Sequence, residues 1–379
     1  MTKPFGASLF LLAGIAVLGL FAGAARTSPA PGKVLRFRAP IEALAIDGTR
    51  VAYDLGISYA DRNGKIANRT NKVLVWNLRT NGTTKVSGRH TAGADDSSTG
   101  ARLADLAIAG PRVAWMFNVG GNTEGDDYVF ASSVTKPKER QVATAQRLGD
   151  NCAGRSDTGC AGRWLGGVVG SGNLIALNRW TTDAQGSITG GGLYVLNGTQ
   201  MKPIASGAST VEAASADGGR VAVLRADGTV GVYSSTGTSL LTVTPTPRAR
   251  EIALSGRTLV VLEFGGKLAV YDSHTGTLRK TFTLHGDQKQ LQALAVHGNV
   301  AVYSKPVRFK TQAVSVGAIH AINLSTGKDR TVGKLSGEIT LAEINSAGLV
   351  YASNGYGAFR AGNGTLVFVP FARVAAAVR

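Results

Sequence analysis

Residues 251–282, EIALSGRTLVVLEFGGKLAVYDSHTGTLRKTF, carry the pattern that decides the fold. Four short apolar runs, IAL, LVVLEF, LAVY and LRKTF, are separated by the turn pairs SG, GG and TG. Apolar runs of this length between glycine-containing turns are typical of β-strands. The stretch therefore predicts four strands joined by tight turns, which together make one antiparallel sheet.

The same unit recurs seven times along the chain. Each repeat has a glycine in its first turn: Gly48, Gly110, Gly172, Gly218, Gly256, Gly298 and Gly348. The strands that follow read RVAYD, RVAWMF, LIALN, RVAVL, LVVLEF, VAVYS and LVYAS. Seven matching units predict an all-β chain folded as a seven-bladed β-propeller. The predicted blades cover residues 41–88, 102–144, 163–207, 210–244, 249–285, 290–336 and 337–373.

The last repeat lacks a polar fourth strand, and the segment VLRFR at residues 34–38 stands before the first repeat. We expect this N-terminal strand to pair with the last blade as its outer strand and so close the ring. Closure leaves only short, protected strand edges. The alanine-rich C-terminus, ARVAAAVR, is the one helical candidate after residue 30.

The units RVAYDLG…KVLVWNLRTNGTTKVSG and LAVYDSHTGTLRKTF resemble the WD40-like, TolB-like and quinoprotein-like propeller repeats of bacteria. The resemblance covers nearly all of the chain after its N-terminal segment and implies a fold, not a site. Quinoproteins carry a tryptophan-bearing repeat motif and a cofactor pocket. The tryptophans Trp76, Trp115, Trp164 and Trp180 occupy non-equivalent repeat positions, so we expect no quinone and no other cofactor.

The first 25 residues have the form of a signal peptide. Lys3 gives a positive start, residues 9–21 are apolar, and Ala22-Gly23-Ala24 has the small-x-small pattern of a cleavage site. The alternative is an uncleaved membrane anchor over residues 9–25. Residues 26–33 form a short linker, and residues 34–379 form one propeller domain. The sequence thus predicts a bacterial protein that is secreted or held in the cell envelope or periplasm, and we expect a monomer.

The two cysteines, Cys152 and Cys160, lie close together in DNCAGRSDTGCAGR. Export predicts a disulfide between them that closes a short surface loop. Two cysteines without a neighbouring histidine do not supply the four ligands of a structural zinc site.

The formal net charge of +17 favours anionic partners such as a cell-surface polymer. Lysines and arginines are scattered along the chain, so the charge also fits a composition that keeps the protein soluble. No nucleic-acid-binding module appears in the sequence, and nucleic acid is not an expected partner.

Long predicted loops collect at one face of the ring, over blades 6, 7, 1, 2 and 3. They join second to third strands at about residues 54–71, 118–126, 179–191, 303–317 and 352–364, or join blades at 89–101 and 145–163. Blades 4 and 5 have only three-residue loops there. Function usually sits in loops on a rigid scaffold, and aromatic and arginine residues are typical binding anchors. The candidate binding residues are Tyr59, Arg62, Arg155, Trp180, Arg308, Phe309, Tyr356, Phe359 and Arg360. The alternative is that these loops only cover the mouth of the central channel.

The sequence contains no serine nucleophile elbow and no H-E-x-x-H pair, and its acidic clusters lack the spacing of a calcium loop. Acidic residues occur near the start of three predicted inner strands, at Glu42, Asp105 and Glu343. They form a possible metal or proton-transfer site if they converge, or a set of solvated or hydrogen-bonded groups that line the channel. No metal ion is otherwise expected.

These observations favour an exported, non-enzymatic propeller that binds a protein or a cell-surface polymer through the loop-rich face. The competing hypothesis is an enzyme of the propeller lyase, lactonase or dehydrogenase type, with its site at the channel mouth.

Overall fold

The computed structural model describes residues 32–56, 71–89, 101–120, 124–148, 162–183, 187–206, 211–225, 227–284, 291–310, 313–354 and 363–379. Its strands form seven four-stranded antiparallel sheets, which confirms the predicted seven-bladed propeller. Each sheet is one blade. The first strand of each blade lines the central channel, and the fourth lies at the outer edge.

The first four blades follow one another along the chain. Blade 1 consists of β2 (Leu44–Asp47), β3 (Arg50–Leu55), β4 (Lys72–Asn77) and β5 (Thr83–Lys85). Blade 2 consists of β6 (Ala101–Ala109), β7 (Arg112–Gly120), β8 (Glu124–Ser133) and β9 (Arg140–Leu148). Blade 3 consists of β10 (Gly162–Ser171), β11 (Leu174–Thr182), β12 (Ile188–Asn197) and β13 (Gln200–Ser206). Blade 4 consists of β14 (Val211–Asp217), β15 (Arg220–Arg225), β16 (Val230–Ser234) and β17 (Ser239–Val243).

The last three blades complete the ring. Blade 5 consists of β18 (Ala249–Ser255), β19 (Thr258–Glu263), β20 (Lys267–Asp272) and β21 (Leu278–Thr283). Blade 6 consists of β22 (Gln292–His297), β23 (Val300–Lys310), β24 (Ala313–Asn323) and β25 (Asp329–Ser336). Blade 7 consists of β26 (Ile339–Ile344), β27 (Gly348–Ser353), β28 (Thr365–Pro370) and the N-terminal β1 (Lys33–Arg36).

The glycines that mark the repeats hold the turns between first and second strands. Six of the seven have φ between +51° and +60°, a left-handed conformation that glycine adopts without strain: Gly48, Gly110, Gly172, Gly218, Gly256 and Gly298. Gly348 differs because it begins β27. A Cβ atom there would lie 2.3 Å from the backbone oxygen of Val369, so close packing keeps this position glycine.

The N-terminal strand closes the ring as predicted. β1 pairs antiparallel with β28, in a register that runs from Lys33 opposite Phe368 to Arg36 opposite Thr365. The strand starts one residue earlier and ends two residues earlier than predicted. The Lys33 ammonium reaches blade 1, where it donates to the Leu78 backbone oxygen over 2.8 Å and lies 5.8 Å from the centre of the Trp76 ring.

The hydrophobic core is divided among the contacts between blades. In the described part of the chain, buried apolar side chains fall into seven clusters, one for each pair of neighbouring blades. Trp76 of blade 1 is fully buried and meets Phe368 of blade 7 edge-on, with the ring centres 6.4 Å apart. Because every blade buries its faces only against its neighbours, the ring must close for all seven clusters to form.

The C-terminal segment forms helix α1 (Phe371–Ala377), at the predicted helical candidate. Its Val374 is buried in the cluster between blades 6 and 7. Across the described ranges, no helix has both the length and the apolar character that a membrane crossing requires. The predicted signal peptide and most of the linker lie outside the described residues and remain predictions.

Candidate functional site

One face of the ring carries hairpins that extend beyond the blades. Connections from second to third strands leave every blade at the same end, opposite the glycine turns. Residues 118–126, 179–191 and 303–317, predicted as loops, are mostly strand in the structure. The hydrogen-bonded ladder of each of these hairpins continues between its second and third strands.

The hairpin of blade 6 is the longest in the described chain. β23 has 11 residues, whereas β19 of blade 5 has 6. At 3.3 Å per residue the difference is about 16 Å of additional strand. Blades 4 and 5 have short connections, as predicted. The hairpins of blades 2, 3 and 6 therefore rise around the channel mouth and leave blades 4 and 5 low. We call this surface the hairpin face.

Three of the predicted binding residues are described, and all three lie on strands of the hairpin face instead of in loops. Trp180 lies in β11 opposite Gly191, and its ring packs over Gly166. Arg308 and Phe309 lie near the tip of β23. Phe309 is 48% exposed and Val307 beside it is 49% exposed, so two large apolar side chains project into solvent on one hairpin.

The other predicted binding residues lie outside the described part of the chain. They are Tyr59, Arg62, Arg155, Tyr356, Phe359 and Arg360. Cys152 and Cys160 also lie outside it, so their disulfide remains a prediction.

The three predicted carboxylates converge at the channel mouth on this same face. The first strands of the blades enclose a channel of about 500 Å³. Glu42, Asp105 and Glu343 line its upper part together with Glu251 and Gln292. Glu251 is the member of this group that sequence analysis missed, although it stands at the same place in its repeat as Asp105, five residues before the turn glycine.

Asp105 is held by backbone donors from two blades. Its Oδ1 accepts from Leu106 N over 2.8 Å, and its Oδ2 accepts from Val168 N of blade 3 over 2.7 Å. A Cβ atom on Gly167 would lie 2.8 Å from that Oδ2, so glycine is needed for this approach. Burial outweighs both hydrogen bonds and raises the pKa of Asp105 to about 6.

Glu343 reaches the channel from β26. Burial first, and the charge of Asp105 second, raise its pKa to about 8. None of the hydrogen bonds among the described residues ends on its carboxylate. Glu251 differs, because its Oε2 accepts from Leu294 N over 3.0 Å, although burial still raises its pKa.

Asp54 is a further buried carboxyl that the sequence did not reveal. It lies in β3, is fully buried, and its Oδ1 accepts from the backbone nitrogens of Glu42 and Ala43 over 2.7 and 2.8 Å. Its Oδ2 is buried and has no hydrogen-bond partner in the described structure. Burial, and then the charge of Glu42, raise the pKa of Asp54 to about 8.

The mouth carboxylates do not form a metal-binding group. Among the described residues, no three histidine, cysteine, aspartate or glutamate side chains lie close enough to share one metal ion. Deeper in the channel, Asp47 joins three blades: its Oδ2 accepts from Gly110 N over 2.6 Å and its Oδ1 from Gly172 N over 3.1 Å. The lower channel is thus held by side chain to backbone bonds between blades.

A separate polar cluster lies within blade 6. His320 Nδ1 donates to Asp329 Oδ1 over 2.9 Å, and Tyr303 donates to the other oxygen of Asp329 and stacks on the His320 ring. Thr331 lies 3.1 Å from His320 Nε2 and completes the set. The cluster joins the second, third and fourth strands of one blade, and none of its members lines the channel. It stabilises the blade by joining three of its strands.

Comparisons with known proteins identify the fold and nothing narrower. No protein-family model and no curated protein sequence matches the chain. A chain in the crystal structure of the mitotic checkpoint complex is 13% identical, and the match covers 97% of this chain and 99% of that one at a TM-score of 0.50. The WD40 β-propeller domain of Doa1 is 10% identical over 90% of this chain and 96% of its own, at a TM-score of 0.49. The computationally designed Ika8 protein is 15% identical over 88% of this chain and 98% of its own, at 0.47.

Identities this low show shared architecture and leave function open. The seven four-stranded blades are consistent with the resemblance to WD40-like repeats, and the comparisons show a β-propeller fold.

Proposed function

We propose that this protein is an exported, non-enzymatic propeller that binds a protein or an anionic cell-surface polymer through the hairpin face. The observation that carries the proposal is the blade 6 hairpin, which holds Val307 and Phe309 about half exposed near its tip. Exposed apolar side chains grouped on one projecting element are typical of interaction sites. Arg308 between them adds a residue type that is enriched at binding hot spots.

The placement of the chain ends supports the same face. Lys33 pairs with Phe368 near the end of β28, and β28 ends opposite Gly348, at the side of the glycine turns. The start of β1 and the start of helix α1 therefore both lie on the side opposite the hairpin face. A chain held at the membrane by its N-terminus would keep that face directed away from the bilayer.

The fold and the charge agree with a binding role. β-propellers commonly serve as protein-binding scaffolds, and the neighbour with a TM-score of 0.50 comes from a structure of the mitotic checkpoint complex. The net charge of +17 favours partners that carry negative charge. Export is proposed from the signal-like pattern of residues 1–25.

A paired substitution tests the hairpin face. We expect the double variant Val307→Ser, Phe309→Ser to lose at least about fivefold in binding to a cell-envelope preparation of the source organism, since apolar anchors contribute about 1–2 kcal/mol each. The matched control is Leu240→Ser, Leu278→Ser, which removes two side chains that are 42% and 52% exposed on the outer strands of blades 4 and 5.

Co-sedimentation measures the binding, and digestion of the envelope with protease separates the partner classes. Loss of binding after digestion identifies a protein, and its survival identifies a polymer. Equal binding by the hairpin variant and wild type would contradict the proposal, as would an equal loss in the control.

A further inference from the structure

The polar cluster within blade 6 has the order of groups that activates a hydroxyl. Thr331 Oγ1 lies 3.1 Å from His320 Nε2, and His320 Nδ1 lies 2.9 Å from Asp329 Oδ1. A hydroxyl within hydrogen-bond reach of a base, with that base oriented by a third group, is the arrangement that makes a weak oxygen nucleophile reactive. Thr331 is not needed to join the three strands, because Tyr303 and His320 both bind Asp329 already.

The hydrogen bonds determine which nitrogen of the His320 ring carries the proton. Burial opposes ionisation of Asp329, but hydrogen bonds from His320 and Tyr303 lower its pKa overall. An ionised carboxylate only accepts hydrogen bonds, so the neutral His320 ring carries its proton on Nδ1 and has a lone pair at Nε2. Thr331 therefore donates its hydroxyl proton to His320 Nε2, which is the direction that a nucleophile and its general base require.

The base is a special feature of blade 6. In strand register, the pair Tyr303 and His320 corresponds to a valine opposite a small residue in the two preceding blades: Val261 opposite Ala269, and Val223 opposite Gly231. The repeat therefore forms blades without these polar side chains, and blade stability does not account for all of the cluster.

The threonine, in contrast, recurs in those blades. Thr331 lies opposite His320 on the outer strand. The corresponding pairs of blades 5 and 4 are Thr281 with Ala269 and Thr242 with Gly231. All three threonines are exposed, whereas His320 is only 8% exposed. A reagent in solution thus meets three similar hydroxyls, and one of them has a sheltered imidazole beside it.

We propose that Thr331 is a covalent acyl-acceptor site, with His320 as its general base and Asp329 as a positioning residue. The donor is a carboxylic acid activated as an ester or a thioester. It reacts once per chain, so the modification is compatible with a propeller that is not an enzyme. The site goes beyond the binding role proposed for the hairpin face and does not depend on it.

The reaction balances with the groups present and the donor. Thr331 Oγ1 forms a bond to the acyl carbon while its proton passes to His320 Nε2, and the negative charge of Asp329 stabilises the imidazolium. The bond from the acyl carbon to the leaving oxygen or sulfur then breaks, and the leaving group takes the proton from His320. The products are an ester on Thr331 and a free alcohol or thiol.

Treatment of the full chain with p-nitrophenyl acetate, followed by mass spectrometry of its peptides, tests the site. We expect at least about tenfold more acetyl ester on Thr331 than on Thr281 of the same chain, since a general base contributes about 10²–10⁴-fold. Thr331→Val should lower the initial burst of p-nitrophenol by about one equivalent per chain, and Thr331→Ser should retain it. The matched control Thr281→Val changes an exposed threonine of blade 5 and should leave acetylation of Thr331 unchanged.

Asp329→Asn separates activation of the hydroxyl from support of the blade. The amide no longer holds the proton of His320 on Nδ1, so acetylation of Thr331 should fall at least about tenfold, toward that of Thr281. Circular dichroism checks the fold, and the ratio of the two esters within one chain is a readout that lost stability alone would not lower.

Three outcomes would overturn the proposal. Equal acetylation of Thr331 and Thr281 in wild type would show that the hydroxyl is not activated. An unchanged ester ratio in folded Asp329→Asn would remove the positioning role. Continuous release of p-nitrophenol without a lasting ester on Thr331 would replace the acceptor site by ester hydrolysis.

Discussion

At the scale of single residues, three acidic side chains that the sequence singled out line the mouth of the channel. Glu42, Asp105 and Glu343 were recognised because each stands near the start of a strand that the repeat places at the ring centre, and all three line the mouth. Asp54 was missed. It ends the apolar run RVAYD, in a second strand where no repeat feature calls for a carboxyl. Its carboxyl is held by the backbone nitrogens of Glu42 and Ala43, which donate hydrogen bonds to it. The sequence alone does not show this contact.

Asp54 and Glu343 predict an unusual dependence of stability on pH. Both pKa values are raised to about 8 in the folded chain, against about 4 in an unfolded chain. The folded state therefore binds more protons between these values. The resulting stability is fully present below pH 4 and is lost as the pH rises toward 8. We expect the urea concentration at the unfolding midpoint to decrease as the pH is raised from 5 to 8.5.

Asp54→Asn tests this expectation. The amide resembles the protonated carboxyl, so the variant should unfold at a midpoint that changes less between pH 5 and pH 8.5, and it should be more stable than wild type at pH 8.5. The control is Asp227→Asn. Hydrogen bonds from Thr229 lower the pKa of that carboxyl, so it titrates below the tested range. If the urea midpoint of wild type increased as the pH was raised from 5 to 8.5, the raised pKa values assigned to Asp54 and Glu343 would be wrong.

At the scale of elements, strands inside the ring were predicted well and strands beyond it were not. Inside the ring, the strands carry apolar side chains that pack against the neighbouring blades. This apolar pattern in the sequence allowed the strands and their turns to be predicted. In residues 118–127 (NVGGNTEGDD), 178–187 (NRWTTDAQGS) and 305–314 (KPVRFKTQAV), the apolar alternation that marks strands ends. The hydrogen-bonded ladder continues, since it depends on the backbone alone. The sequence therefore predicted loops at positions where the structure has extended hairpins.

The strand β1, which closes the ring, allows a prediction about stability with a control at the adjacent residue. Leu35 packs against the cluster between blades 7 and 1, whereas Val34 points outward and is 45% exposed. We expect Leu35→Asp to lower the free energy of unfolding by about 2 kcal/mol, because it removes apolar contact and buries a charge. Val34→Asp should change it by less than about 0.5 kcal/mol. Urea denaturation measures both, and equal effects would show that β1 does not close the ring in this register.

At the scale of the whole molecule, the number of sequence repeats predicted the propeller architecture. It did not predict how charge is distributed between the channel and the outer surface. Seven copies of one unit leave few alternatives to a closed ring, so the fold followed from the sequence. The net charge of +17 predicted anionic partners for the molecule as a whole. The acidic channel became visible only in three dimensions, because its carboxyls come from strands as far apart in the chain as residues 42 and 343. The ionisable groups of the channel lining are thus mostly of opposite sign to the net charge of the chain.

The export proposal makes a prediction about the entire chain. Residues 1–25 have the pattern of a cleaved signal, and the chain enters the ring on the side opposite the hairpin face, so removal of the segment leaves every described blade unchanged. We expect intact-mass analysis of the protein from its source cells to find a chain that begins near residue 26, outside the cytoplasm, with the net charge reduced from +17 to +16 by the loss of Lys3. A full-length chain in the membrane fraction would replace cleavage by anchoring and still direct the hairpin face away from the bilayer. A full-length chain in the cytoplasm would contradict export, and with it the choice of cell-envelope partners.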